Sequence, residues 1–174
     1  MKLTEHFTLE EMTRTKVKGI DNTPDGKAVD NLKRLCRWLE MLRGEYNKRY
    51  GTPPDLPEGT TPPNLPEGEE PCSPPSEGLG EVPIIINSGY RSEAVNRAVG
   101  GAATSNHLTG CAADIRCLGV EQALRYATIL LDISDEADEP FDELLIEKNG
   151  YNYWVHFAVR PQGNRRKILF ITTK

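Results

Sequence analysis

The amino-acid sequence predicts an α+β fold, a single domain in which helices pack on a small antiparallel sheet. Three observations carry the prediction. Helical apolar spacing occupies the first third of the chain and one later segment. β-Branched and alternating runs gather in the second half, and short turn sequences join the last three of them. The 174 residues suffice for one domain with a real core and are too few for two.

The elements follow in order. Thr8-Leu-Glu-Glu11 has the form of a capping box, in which a hydroxyl and a carboxylate satisfy free amides at a helix start, and Phe7 can staple that start. After the turn-rich Asp21 to Gly26, apolar residues at Val29, Leu32, Leu35, Cys36, Leu39 and Leu42 keep the helical spacing of three and four. Lys33, Arg34 and Arg37 fall off that stripe. Composition then changes abruptly. Thr52-Pro-Pro-Asp-Leu-Pro-Glu-Gly59 is nearly repeated as Thr61-Pro-Pro-Asn-Leu-Pro-Glu-Gly68, with almost nothing to bury. Residues 51–81 are therefore expected to form a Pro/Gly/Glu-rich inserted loop, extended and polyproline-like, a spacer in preference to a proline-motif ligand.

Val82 to Asn87 reads as a buried strand, and Ser92 to Val99 as a short helix stopped by Gly100-Gly101. Cys111 to Cys117 reads as a strand and Val120 to Leu131 as an amphipathic helix. Phe141 to Glu147, Tyr153 to Arg160 and Lys167 to Thr172 read as three further strands, with turns at Lys148-Asn-Gly150 and Pro161-Gln-Gly163.

Composition narrows the function classes. An apolar content of 37% with 27% charged residues suits a soluble globular protein, and a net charge of -5 argues against a surface made for phosphate backbones. Nucleic acid is not an expected partner. Neither a signal-peptide core nor a bilayer-spanning run is present, so the chain is expected to be cytoplasmic as synthesised, and monomeric. Cys36, Cys72, Cys111 and Cys117 form no CxxC pair, so they are read as reduced thiols and not as a zinc knuckle or disulfide framework.

Two of the three histidines lie in the segments richest in special residues. In His107-Leu-Thr-Gly-Cys-Ala-Ala-Asp114, an imidazole closes a loop and a carboxylate sits in the strand that follows, with Gly110 letting the chain double back. Pleat alternation puts Ala112, Asp114 and Arg116 on one face of that strand. In Tyr153-Trp-Val-His-Phe-Ala-Val159 it puts Val155, Phe157 and Val159 toward the core. Trp154 and His156 then face a cleft, where Trp154 offers a wall for a substrate side chain. His107, Asp114 and His156 together would leave a fourth tetrahedral position for water, the open arrangement of catalytic Zn2+.

These residues carry a resemblance. Ser105-Asn-His107-Leu-Thr-Gly110-Cys-Ala112-Ala-Asp114, followed by Trp154-Val-His156, resembles the D-alanyl-D-alanine carboxypeptidase-like zinc peptidases of bacteria and phages. Their signature is Ser-x-His-x-x-Gly-x-Ala-x-Asp with a later Trp-x-His. Ser88-Gly-Tyr90-Arg91-Ser92, Asn96 and Val99-Gly-Gly101 are similar to the same pattern, so the likeness spans roughly Ile84 to Phe157.

The resemblance implies a hedgehog/DD-peptidase-like fold, a zinc cofactor on His107, Asp114 and His156, and D-amino-acid-containing peptidoglycan peptides as partners. It also implies that Arg91 binds the substrate carbonyl or the oxyanion, and that Tyr90 lies beside the substrate. Ser105 either bonds the substrate or shapes its loop.

One position departs from the pattern. Many relatives carry an acid three residues before the last histidine, where this chain has Tyr153. The nearest acidic candidate for general base is Glu147, ending Phe141-Asp-Glu-Leu-Leu-Ile-Glu147, a segment similar to the Phe-Asp-Gln-Leu-Ile-x-Glu strand of one branch of the family. It can share a face with His156 if strands 141–147 and 153–160 form a hairpin, and the alternative is a solvated glutamate at a strand end.

The expected activity is zinc-dependent hydrolysis of peptidoglycan, as a D,D-carboxypeptidase or an L-Ala-D-Glu endopeptidase. The expected setting is a phage or prophage lysis protein or a wall-recycling enzyme. The rival readings are a zinc-containing cell-wall-binding or structural module of the same fold, and a metal-free adaptor.

Overall fold

Local chemistry sets the helix starts. In the computed structural model, which describes residues 1–51 and 81–173, the Thr8 hydroxyl accepts from the Glu11 amide at 3.2 Å and opens α1 (Leu9–Thr13). The Asp25 carboxylate accepts from the Ala28 amide at 2.7 Å and opens α2 (Gly26–Tyr50). The apolar stripe of α2 is buried from Leu32 to Leu42, with Trp38 beside it. Its last turn ends where Gly51 donates to the Asn47 carbonyl at 2.8 Å, and the Asn47 side chain accepts from the Val82 amide at 2.6 Å and donates to the Val82 carbonyl at 3.2 Å. The proline-rich run expected as an inserted loop falls almost wholly outside the described residues, as does Cys72.

The remaining elements are β1 (Ile86–Ser88), α3 (Glu93–Ala98), a 3-10 turn (Asn106–Thr109), β2 (Ala112–Cys117), α4 (Val120–Ala137), β3 (Glu143–Asn149), β4 (Asn152–Ala158) and β5 (Lys167–Thr172). The fold is α+β, with helices α2 and α4 packed together against a five-stranded sheet of order β1-β2-β4-β3-β5. α4 runs six residues beyond the Leu131 predicted for its end, because Ile133 and Ser134 prolong its buried face, and it stops at Asp138 in the left-handed region (φ 49°). Trp38 of α2 meets Phe157 of β4 with ring centroids 5.2 Å apart, and Phe157 meets Phe141 at 5.7 Å, so aromatic packing joins helix layer to sheet. Cys36, Cys111 and Cys117 are buried free thiols. Among the described residues no helix is long and apolar enough to cross a membrane.

Two features of the sheet differ from the sequence expectation. Only Ile86–Ser88 of the run 82–87 and its surroundings pairs as a strand, against β2 with an irregular register, and Ile85 is exposed while Ile84 and Ile86 are buried. It is an edge strand and not a buried one. The sheet is also mixed: β1-β2, β2-β4 and β4-β3 are antiparallel, but β5 lies parallel to β3. Topology explains this. β2 and β3 occupy both edges of β4, so the chain leaving β4 must cross to the free edge of β3, and it arrives at the end where β3 begins. Asp142 anchors the crossing, since its buried carboxylate accepts from Arg165 Nε and Nη2, each at 2.8 Å, and pairs with Arg160 at 2.9 Å.

Gly110 ends the 3-10 turn at φ 71°, and a Cβ there would stand 2.5 Å from the Ala28 carbonyl oxygen of α2. Both the backbone angle and the space exclude a side chain. Gly110→Ala is expected to destabilise the fold by about 2–3 kcal/mol, read as a melting temperature lower by roughly 5–10 °C. An unchanged melting temperature would contradict this packing.

Candidate active site

His107 lies on the 3-10 turn, and its Nδ1 sits 2.6 Å from the Gly89 carbonyl oxygen. A carbonyl only accepts, so Nδ1 carries the proton and Nε2 presents its lone pair to the sheet. Gly89 is held in turn, because a Cβ on it would stand 2.4 Å from the Met12 carbonyl oxygen. Neighbouring Tyr90 donates its amide to that same Met12 carbonyl at 2.7 Å, and Arg91 donates its amide to the His107 carbonyl at 3.1 Å.

Asp114 of β2 and His156 of β4 are direct cross-strand partners. Asp114 Oδ1 is 3.2 Å from His107 Nε2 and 2.9 Å from His156 Nδ1. One ligand-capable atom from each of the three residues lies within 4.8 Å of the others.

This donor set fits a divalent cation. Two imidazole nitrogens and a carboxylate oxygen converge from three elements, electron-rich atoms that repel one another unless a cation, either a proton or a metal ion, stands among them. Burial by itself would raise the Asp114 carboxyl, but the two histidines outweigh it and hold the group well below the usual carboxylate range. Burial would likewise strip the proton from His156. Asp114 and Glu143 overcome that, and with no metal bound they push the imidazole up to about 9.

Glu143 is the residue that sequence reasoning missed. Its Oε2 stands 3.6 Å from His156 Nε2 and accepts from Asn106 Nδ2 at 2.9 Å, while Oε1 pairs with Arg165 at 2.9 Å and Lys167 at 3.2 Å. Interaction with His156, helped by Lys167 and opposed by burial, keeps its carboxyl low. The chain therefore backs His107 with a carbonyl and His156 with a carboxylate, the outer contacts that orient metal-binding imidazoles. The signal was present: counting back by twos from Glu147 reaches Leu145 and Glu143 on one face. Glu143→Ala is expected to weaken zinc binding about 10- to 100-fold, measured by competition with a chromogenic chelator.

The three residues open on a cleft of about 400 Å³, also lined by Arg91, Ser105, Glu147 and Trp154. Arg91 donates from Nε to the Ser88 hydroxyl at 2.8 Å and from Nη2 to Asp114 Oδ2 at 2.6 Å, the oxygen turned away from the histidines. Pairing of Leu145 with His156 and of Glu147 with Trp154 puts Glu147 on the cleft face, one pleat from the histidine. Partial burial raises the Glu147 carboxyl against the pull of His156. Ser105 caps the 3-10 turn, accepting from the His107 amide at 3.3 Å, and also lines the cleft.

Tyr153 alternates to the opposite face and packs on the core. Tyr90 does not line the cleft itself: it packs partly on the core and lines an adjoining hollow that shares Asn87 and Arg91 with the cleft. Asn87, Gly101 and Ala102 line the cleft without having been anticipated.

No curated protein matches the chain. Residues 75–157 match the family model described as Peptidase M15, a span that includes the three converging side chains, Arg91, Ser105, Glu147 and Trp154. Over those residues, just under half of the chain, the sequence is similar to the M15 peptidases, a metal-dependent D-Ala-D-Ala carboxypeptidase-like family.

Proposed function

We propose that the protein is a zinc peptidase that hydrolyses the D-amino-acid-containing peptides of peptidoglycan, as a D,D-carboxypeptidase or an L-Ala-D-Glu endopeptidase. The convergence of His107 Nε2, the Asp114 carboxylate and His156 Nδ1 on the floor of an open cleft carries the reading. These three residues would hold the ion, which when bound supplies Lewis acidity toward a water and a peptide carbonyl.

The remaining chemistry belongs to the side chains. Glu147, half-buried and raised in pKa, takes a proton from the water that attacks the carbonyl carbon, and returns it to the amine nitrogen as the carbon–nitrogen bond breaks. Arg91, fixed through Nε and Nη2, keeps Nη1 for the carbonyl oxygen as that oxygen gains charge. Trp154 walls the cleft on the side where the peptide lies.

Mass spectrometry of muropeptides before and after incubation tests this directly. Protein carrying one equivalent of zinc is expected to shorten them, and chelator to stop the reaction. Zinc-loaded protein that leaves both bond types intact would favour a binding or structural module, and protein without zinc by elemental analysis would favour a metal-free adaptor.

A further inference from the structure

The cleft continues past Trp154. A second hollow of about 560 Å³ shares Trp154 and Asn87 with the first, and its charged lining residues are Arg14, Lys16 and Arg116. Among the described residues no aspartate or glutamate lines it. Arg91, Arg160 and Arg165, around the metal-ligand cluster, are each paired with a carboxylate. The three cations of the second hollow form no ion pair among the described residues, and all three are exposed. In a chain of net charge -5, a hollow whose described lining holds three cations and no acid departs from an evenly mixed surface.

The fold fixes where this charge sits relative to the candidate active site. Arg116 is two residues along β2 from Asp114, on the same face, and pairs across the ladder with Trp154, which pairs on its other side with Glu147. At the usual strand rise, Arg116 and Asp114 are about 7 Å apart along β2, the span of about two residues of an extended peptide. Arg14 follows α1 and donates to the Ile86 carbonyl at 3.4 Å, so it leans over β1 toward the same hollow.

We infer that this hollow is a subsite for a carboxylate of the substrate, seated by Arg116 and Lys16 with Arg14 behind them. It makes the protein selective for peptides bearing a free carboxylate within a residue or two of the bond that is cut. The inference rests on the peptidase reading for the identity of the peptide, and on the charge of the hollow for the preference. A guanidinium matches a carboxylate by two parallel hydrogen bonds, and an ammonium adds charge without that geometry.

Binding tests it without requiring turnover. Zinc-loaded Glu147→Gln protein is titrated calorimetrically with a muropeptide pentapeptide, which holds both candidate bonds, and separately with the same peptide after its carboxylates are converted to amides. The acid is expected to bind about tenfold tighter than the amide, from exposed to partly desolvated charge contacts. That advantage should shrink as salt rises. In an added Arg116→Gln, Lys16→Gln double substitution the advantage should fall to about twofold or less, with the amide's affinity unchanged. Both residues are exposed and unpaired, so the variant is expected to melt with its parent, and Arg14 is left in place.

Equal affinity for acid and amide, absence of acid binding at millimolar concentration, or an equal loss on both peptides in the double variant would overturn the subsite. Failure of the peptidase reading looks different: wild-type protein would prefer the acid yet cleave neither peptide.

Discussion

His156→Ala is expected to abolish zinc binding by the protein. One of three ligands is lost, and on the scale of about 10–16 kcal/mol for a complete protein zinc site that is several kcal/mol, at least a thousandfold in affinity. Elemental analysis after dialysis should fall from one equivalent to background, with peptide cleavage below detection. Wild-type protein at a free zinc concentration of 100 times its dissociation constant gains about 2.7 kcal/mol of stability, a shift of roughly 5–10 °C. The variant should show no zinc-dependent shift. Retention of stoichiometric zinc by His156→Ala would mean that the ion sits elsewhere.

The same site carries a pH dependence. In the metal-free protein the His156 imidazole is pushed up to about 9 from an ordinary 6.5, because Asp114 and Glu143 outweigh its burial. Its proton therefore stabilises the metal-free fold fully below pH 6.5, and that contribution disappears as pH rises through 9. Zinc competes for the same nitrogen, so zinc affinity moves the other way, climbing between pH 6.5 and 9 and then levelling. A profile that is flat from pH 6 to 9 would contradict competition at His156.

Glu147→Gln is expected to lower kcat by about 10²–10⁴, the range for loss of a general base, while zinc content and KM stay within twofold. Glutamine keeps the shape and the hydrogen-bonding reach of the side chain but cannot shuttle a proton. In the parent, the acidic limb of kcat/KM should sit above the ordinary carboxylate value of 4.5, since burial raises Glu147. Tyr153→Phe is the matching control for proton transfer: the ring packs against the core and borders the second hollow, outside the cleft that Glu147 lines, so kcat should not depend on its hydroxyl. The reverse pattern, with Tyr153→Phe inactive and Glu147→Gln active, would transfer the proton chemistry to the position where relatives carry an acid.

The reach of sequence reasoning followed the range of the interactions involved. His107, Asp114 and His156 were legible because pleat alternation is local: a period of two assigns Asp114 and His156 to faces without knowledge of their partners. The side on which Glu147 falls was legible only conditionally, because alternation does not give cross-strand register, and the pairing of Glu147 with Trp154 depends on the whole hairpin. Glu143 was overlooked for the same reason, since its contact with His156 exists only when β3 lies directly against β4. Turn chemistry at Pro161-Gln-Gly163 suggested one more antiparallel neighbour. It carries no information that β2 and β3 already cover both edges of β4, which is what sends β5 to a parallel berth on β3. The placement of Tyr90, partly on the core and beside the cleft, depends on the backbone bond from its amide to Met12, a long-range contact that the motif does not reveal.

Asn47 has a consequence for the proline-rich stretch. The chain departs at Gly51 and re-enters at Val82 on one asparagine, whose backbone holds the exit and whose side chain clasps the return, with Glu81 tied to Arg43 one turn earlier. The points of departure and return therefore stand side by side at the end of α2. Closing a chain between ends that stand so near each other carries only a closure entropy that grows logarithmically with the length between them.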